Sequence, residues 1–318
     1  MVKTGVVLLN MGGPDSLEAV QPFLYNLFSD HDIIQIPRPI QKPVAWLISK
    51  TRAKKTMDYY KAMGGKSPQK EQTEEQARAL QKVLGNEYKV VVAMRYWHPF
   101  THEALETLSK EKELENIILL PLYPQFSKTT TGSSFNEFFR EFEKFRKEGK
   151  FKDVKVKKIE SYHDHPTYIQ AMVENIKENL PDYKDYHFLF SAHSLPEKII
   201  NEGDPYQKQV EKTVELIKEY FPEIDSSLAY QSKVGPVKWL EPMTDEMIVN
   251  LAKKGVKNLA VIPVAFVSEH SETLYELDIQ YGKLAKEQGI QNYKRIPTLK
   301  THPLFIQTLK ELVESTNF

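Results

Sequence analysis

Short runs of consecutive apolar residues alternate with amphipathic stretches along the whole chain. Runs such as GVVLLN, KVVVAM, NIILLP and HFLFSA have no polar face, the pattern of strands covered on both sides of a parallel sheet. The pattern predicts strands near 4–10, 88–94, 116–122, 154–159, 187–192, 227–232, 258–264 and 293–297. Helical spacing fills the intervals between them. Alternation of this kind predicts βαβ units and parallel sheets. The phenylalanines at 135, 138, 139, 142 and 145 follow helical spacing and predict a buried stripe.

The two halves echo each other. VVLLNMGGP pairs with FLFSAHSLP, VVVAMRYWHP with SLAYQSKVGP, and IILLPLYPQFS with LAVIPVAFVS; each is an apolar strand ending in a polar or proline turn. The predicted fold class is α/β, with two similar Rossmann-like lobes, parallel sheets flanked by helices, and an active-site cleft between them. The boundary falls near 157–165, giving an N-terminal lobe over 1–160 and a C-terminal lobe over 161–302. At 318 residues the chain is too long for one ordinary core and suits two.

An insertion at about 31–70 has no counterpart in the second half. Its stretch 33–48, IIQIPRPIQKPVAWLI, is apolar but interrupted by Pro37, Pro39 and Pro43, and falls short of the ~20 residues of a membrane span. Two readings stand equally open: a lid packed on the core, or a lip held extended by its prolines and presenting Ile33, Ile34, Ile36, Val44, Trp46, Leu47 and Ile48. GGKS at 64–67 imitates the end of a phosphate-binding loop. The glycine such a loop needs five residues before Gly65 is Tyr60, so no nucleotide site is assigned. His163 and His165 in YHDHP are taken as turn residues leading into a helix.

Composition removes several classes. Lys plus Arg and Asp plus Glu number 43 each, so no global field attracts nucleic acid or an anionic bilayer, although the sum leaves room for local patches. With no cysteine there is no disulfide, thiolate zinc site or cysteine-held iron–sulfur cluster. MVKTG runs directly into the first strand without a signal or transit peptide, and a cytoplasmic protein is expected.

Two stretches carry chemistry. In FLFSAHSLPEKIINEGDPY, 188–206, an apolar strand stops at His193, and strand carboxyl ends are where open α/β sheets bind ligands. In VIPVAFVSEHSETLYELDIQYGK, 261–283, Leu274, Leu277, Tyr281 and Leu284 predict a core-facing side, while Glu272, Glu276 and Gln280 form an i, i+4, i+8 row on another. The ordinary alternative is that the acids complement the helix dipole and Ser268 caps the helix.

SAHSLP followed by EGDPY, together with LLNMGGP at 8–14, MGGKSP at 63–68, RYWHP at 95–99, YPQFSKTTTGSS at 123–134, QSKVGPVKWL at 231–240 and SEHSETLYELD at 268–278, resembles the ferrochelatase family over nearly the whole chain. The resemblance implies a type II chelatase-like fold, with a helix in 303–318 packing back on the first lobe. The implied activity is insertion of iron(II) into protoporphyrin IX, giving protoheme and two protons. His193 and Glu272 fall on the family's catalytic positions, with Glu276 as a further metal ligand behind Glu272. The family commonly has an acid where this chain has Gln280, which is not counted as a ligand. Met11, Tyr123, Trp239 and Phe266 are implied to line the ring pocket, Arg52, Tyr60 and Ser67 to lie near the lip or propionates, and Arg95 and Tyr96 to sit by the ring and its propionates.

Metal insertion needs these residue types. Two pyrrole protons must leave and the planar ring must bend to expose its nitrogen lone pairs; bending costs roughly 1–5 kcal/mol and general-base help adds about 10²–10⁴-fold. Neutral imidazole and carboxylate also ligate iron(II). Iron is thus expected as substrate, with no prosthetic group, no nucleic acid, weak peripheral membrane contact and a monomeric state. The alternatives are a chelatase acting on coproporphyrin III or another ring, against which Met11 resembles the protoporphyrin branch, and a porphyrin carrier. A carrier has no use for a base facing a carboxylate.

Overall fold

The computed structural model describes every residue except Asn317. The chain forms two compact units, Met1–Ser161 with Ile306–Phe318, and Tyr162–Phe305.

The first unit is built on a four-stranded parallel sheet of order β2-β1-β3-β4, comprising β1 (Thr4–Asn10), β2 (Tyr88–Met94), β3 (Asn116–Pro121) and β4 (Lys155–Lys158). Val6, Val7, Leu8 and Leu9 of β1 are all buried, as a strand covered on both faces requires. One face packs on the helix Ser133–Lys147 through Phe135, Phe138 and Phe142, with Phe145 at the margin. Phe139 departs from the expected stripe: it is 38% exposed, because in a 3.6-residue turn it points about 100° away from Phe138. The last helix, Pro303–Glu314, buries Phe305, Ile306, Leu309 and Val313, and from Ile306 onward it belongs to the first unit.

The lip differs from its expected extended form. A helix spans Arg38–Ala62, starting directly after Pro37. Proline at the first turn leaves no needed donor unmade and its fixed φ suits helix entry, so Pro39 assists the helix. Pro43 lies inside it at the loss of one hydrogen bond. Gln41, Ala45, Ser49, Ala53 and Tyr60 face inward, while Ile40, Trp46 and Leu47 are 49%, 51% and 57% exposed. The GGKS glycines end this helix. Gly64 and Gly65 adopt φ of 97° and 94°, and the Gly65 amide returns to the Tyr60 carbonyl at 2.8 Å, the left-handed helix stop that glycine favours.

The second unit repeats the first. Its parallel sheet has the order β6-β5-β7-β8, with β5 (His187–His193), β6 (Ser226–Gln231), β7 (Asn258–Pro263) and β8 (Asn292–Arg295). Leu189, Val261, Ile248 and Leu277 share its core. The helix after β7 is a π-helix over Glu272–Tyr281, where an α-helix was expected. Its hydrogen bonds skip one more residue per turn, so the predicted row of side chains breaks up. Thr273, Leu277 and Tyr281 are buried, Leu274 is only half-buried and Gln280 is exposed.

Candidate active site

His193 is the last residue of β5 and lies in parallel register with Gln231, the last of β6. Its backbone is tied down on several sides. The Tyr206 hydroxyl donates to the His193 carbonyl at 2.9 Å, the Ser194 amide donates to the Gln231 carbonyl at 2.8 Å, and Ser194 Oγ donates to the Leu240 carbonyl at 3.0 Å. The EGDPY motif thereby acquires a purpose: Asp204 receives the Tyr206 amide at 3.0 Å and sets the helix start from which the tyrosine reaches back.

The imidazole is half-buried and its Nδ1 lies 2.6 Å from the Ser194 carbonyl oxygen. A carbonyl only accepts, so Nδ1 must carry the hydrogen. In the neutral ring the lone pair therefore sits on Nε2, which is the atom available to take a proton.

Glu272 opens the π-helix and is half-buried. Burial pushes its carboxyl up, but the charges of His270 first and His193 second outweigh that and hold it below the ordinary carboxylate value. Burial likewise pushes His270 down, against the pull of Glu272 and Glu269. His270, which the sequence reading did not single out, thus joins His193 and Glu272 in one electrostatic group. Its ring packs against Phe266 with centroids 5.3 Å apart, and its Nε2 lies 3.2 Å from Ser268 Oγ. The capping alternative is not what forms: Ser271 at the N-cap makes no capping bond and its hydroxyl goes to the Glu272 carboxylate at 2.9 Å.

Glu276 has a different environment. Its oxygens accept from Gln231 Nε2 at 3.2 Å, the Ser232 amide at 2.9 Å, the Ser232 hydroxyl and the Tyr281 hydroxyl at 2.7 Å. Both oxygens face protein donors, so metal ligation by Glu276 requires release of these bonds. Among the described residues no three His, Asp or Glu side chains form a ready cage for a metal.

The turn carrying His270 and Glu272 is anchored from below by Glu269, only 3% exposed. Its carboxylate receives Arg295 NH1 at 3.0 Å, Thr273 Oγ1 at 2.6 Å and the Thr298 amide at 3.1 Å. Burial pushes Glu269 up, yet Arg295 and these donors leave it lowered. A depressed carboxyl contributes stability above its unfolded pKa and loses it as pH falls through the folded value. Glu269→Gln is therefore expected to cost roughly 1.5–3 kcal/mol at neutral pH, a deficit that shrinks as pH falls through the carboxylate range; urea melts at several pH values measure both.

In the first unit, Met11, Tyr60 and Tyr96 fall within one apolar cluster with Phe23, Phe28, Ile33 and Trp97. Asn10 Oδ1 holds the Met11 amide at 2.8 Å, and the Gly13 turn lies so close to Ser67 that any Cβ there would strike the serine side chain. The LLNMGGP and MGGKSP motifs are thus two sides of one packing contact. The Arg52 guanidinium lies 5.7 Å from the Phe28 ring centre. Arg95 pairs with Asp30 at 3.0 Å and Glu137 at 3.5 Å and donates to Ser133 at 2.8 Å, while the Tyr96 hydroxyl donates to Asp30 at 2.6 Å. Both side chains are thereby tied to the base of the lip. Tyr123 is half-buried, and burial pushes its phenol up. In the second unit Trp239 is half-buried with Nε1 on the Val234 carbonyl at 3.0 Å.

Comparison with known proteins extends over nearly the full length. The family model described as Ferrochelatase matches residues 3–317. A ferrochelatase of Sulfurihydrogenibium sp. (strain YO3AOP1) is 68% identical over 98% of this chain and 98% of its own, and one of Aquifex aeolicus is 62% identical over 99% of both. Among solved structures, SirB from Bacillus subtilis with Fe3+ superposes with a TM-score of 0.58 at 12% identity, covering 98% of this chain and 95% of that one. CbiX, the terminal enzyme for biosynthesis of sirohaem in denitrifying bacteria, gives 0.53 at 9% identity, covering 99% and 100%. At those identities the structures speak to the fold alone.

Proposed function

The chain belongs to the ferrochelatase family, lyases that insert ferrous iron into a porphyrin in haem biosynthesis, and we propose that in this member His193 takes the pyrrole protons while Glu272 receives the iron. The observation that carries this assignment is the Nδ1 hydrogen bond of His193 to the Ser194 carbonyl at 2.6 Å, which leaves Nε2 as a base beside a carboxylate held in its charged form. Porphyrin and iron(II) enter; each pyrrole N–H lost to the base exposes a nitrogen lone pair for the metal, and two protons leave with the metalloporphyrin. As the first proton arrives, Glu272 stabilises the imidazolium, and a divalent cation is drawn to the same carboxylate. By the family pattern, Met11 and Tyr123 of the first unit and Trp239 and Phe266 of the second are proposed for ring contact, Arg52, Tyr60 and Ser67 for the lip or propionates, and Arg95 and Tyr96 for the ring and its propionates. Anaerobic insertion assays with protoporphyrin IX and coproporphyrin III, each with iron(II), zinc and cobalt, test it. Preference for protoporphyrin and iron is expected; binding of porphyrin without insertion would mean a carrier.

The enzyme is proposed to act as a cytoplasmic monomer whose lip touches the membrane. No described helix is long and apolar enough to cross one. Exposed Ile40, Trp46 and Leu47 stand among Arg38, Lys42, Lys50, Arg52, Lys54 and Lys55, with no acidic residue between 38 and 55. A local basic field thus exists although the whole chain is neutral, and weak apolar anchors need such a second signal. Changing Ile40, Trp46 and Leu47 together to serine is expected to abolish co-sedimentation with anionic vesicles and weaken porphyrin binding. Unchanged values for both would make the segment a packed lid.

A further inference from the structure

We infer that Gln231 is a positioning residue that fixes the spacing between His193 and Glu272, with Glu276 as its second anchor. The inference rests on the assignment of those two residues as base and metal-receiving carboxylate. His193 ends a strand and Glu272 begins a helix, so nothing in the local backbone of either sets their separation. A side chain joining the two elements has to do so.

Gln231 makes that connection with its whole amide group. It is fully buried, at 0% exposure. Its Oε1 accepts from Ser191 Oγ of β5 at 2.8 Å, two residues before His193. Its Nε2 donates to the Glu272 carbonyl at 3.0 Å and to a Glu276 carboxylate oxygen at 3.2 Å. Its main-chain carbonyl receives the Ser194 amide at 2.8 Å. One residue thus grips the strand on both sides of the histidine and the π-helix at two points four residues apart.

The polarity of this group is specific. An acceptor must face the strand and two donors must face the helix, which an amide supplies and a carboxylate does not. Glutamate here would set negative charge against the Glu272 carbonyl and the Glu276 carboxylate. Leucine would leave the Glu272 side with an unanswered acceptor and Ser191 without its partner, although Thr244 Oγ1 also lies 2.8 Å from that serine.

The next residue shows what is given up to build the brace. Ser232 takes φ of 70°, a left-handed conformation that is unfavourable for a non-glycine residue and persists only where surroundings impose it. Here its amide and hydroxyl both end on Glu276. The carboxylate that the amide of Gln231 grips is therefore itself clamped, by Ser232 and by Tyr281. A long π-helix lacks the favourable packing of an α-helix and is rare outside functional sites; this one is held by side chains from outside it, Gln231 at its start and Tyr293 on the Leu277 carbonyl at 2.6 Å.

The test is Gln231→Leu in the full-length enzyme, with Ser191→Ala as the milder variant that removes only the strand-side bond. His193→Ala is assayed alongside. Misplacing reacting groups by about 1 Å costs on the order of 10²-fold, so kcat for iron insertion per folded molecule should fall about 10²-fold in Gln231→Leu and about tenfold in Ser191→Ala. The porphyrin KM should stay within about threefold of wild type in both, a split that a general loss of stability does not produce. The positioning role is overturned if kcat per folded molecule in either variant stays within about twofold of wild type, or if the loss is entirely in KM. Should Gln231→Leu fail to fold, Ser191→Ala alone decides. An active His193→Ala would overturn the underlying assignment, whereas an inactive His193→Ala with normal positioning variants would overturn only the brace.

Discussion

Replacing His193 with alanine is expected to lower kcat for iron insertion by about 10²–10⁴-fold, the usual contribution of a positioned general base, while porphyrin still binds. The loss should be confined to chemistry. The His193 backbone is held by Tyr206 through its carbonyl and by Ser194 through the bond to Gln231, and neither contact uses the imidazole. The melting temperature should therefore stay near wild type. In the proposed mechanism the reacting nitrogen is Nε2, since Nδ1 is engaged by the Ser194 carbonyl at 2.6 Å. Free imidazole supplied to the alanine variant is accordingly expected to restore part of the rate, as measured by anaerobic zinc and iron insertion. Turnover near wild type without added imidazole would remove His193 from the mechanism.

Glu272→Gln should have the second-largest effect, a fall in insertion of at least about 10²-fold with a raised KM for the metal. The substitution keeps the shape of the side chain and discards its charge. Glu272 is held ionised against its burial chiefly by His270 and then by His193, so the variant also takes a carboxylate from beside His270, leaving Glu269 as the other charge acting on it. The carboxylate supports His270 in its charged form, and its loss should drive His270 further towards neutrality. Folding should be nearly unaffected, because Gln231 grips the Glu272 main-chain carbonyl and no capping bond exists to be lost. A collapse of melting temperature with normal activity per folded molecule would assign the residue to helix stability.

Much of the framework was legible because a buried parallel strand leaves a simple trace, an uninterrupted apolar run with a turn residue after it. VVLLN and FLFSA gave β1 and β5 within a residue of their observed ends, and the echo between the halves corresponds to the common strand order, β2-β1-β3-β4 and β6-β5-β7-β8. In the same sequence echo Met11, just past the end of β1, corresponds to His193, the last residue of β5. The lip was less legible. Its three prolines suggested extended chain, but proline hinders a helix only beyond the first turn, and Pro37 and Pro39 sit at the helix start. Net charge was silent here, because a sum over the chain conceals the basic run from Arg38 to Lys55.

By itself, then, the sequence determined the alternating α/β framework and the family and singled out His193 and Glu272 as candidates, since each is recorded locally in apolar periodicity or in a short motif. Only the tertiary structure decided how those side chains are oriented and charged. That His270 is electrostatically linked to Glu272 while Gln280 is exposed follows from where the turn after β7 places each. That Gln231 and Ser232 reach Glu276, beside Tyr281 of the same helix, follows from β6 and the π-helix meeting across more than forty positions of sequence. Hydrogen-bond partners that distant leave no periodic trace, because their spacing is set by packing of whole elements and by no repeat along the chain.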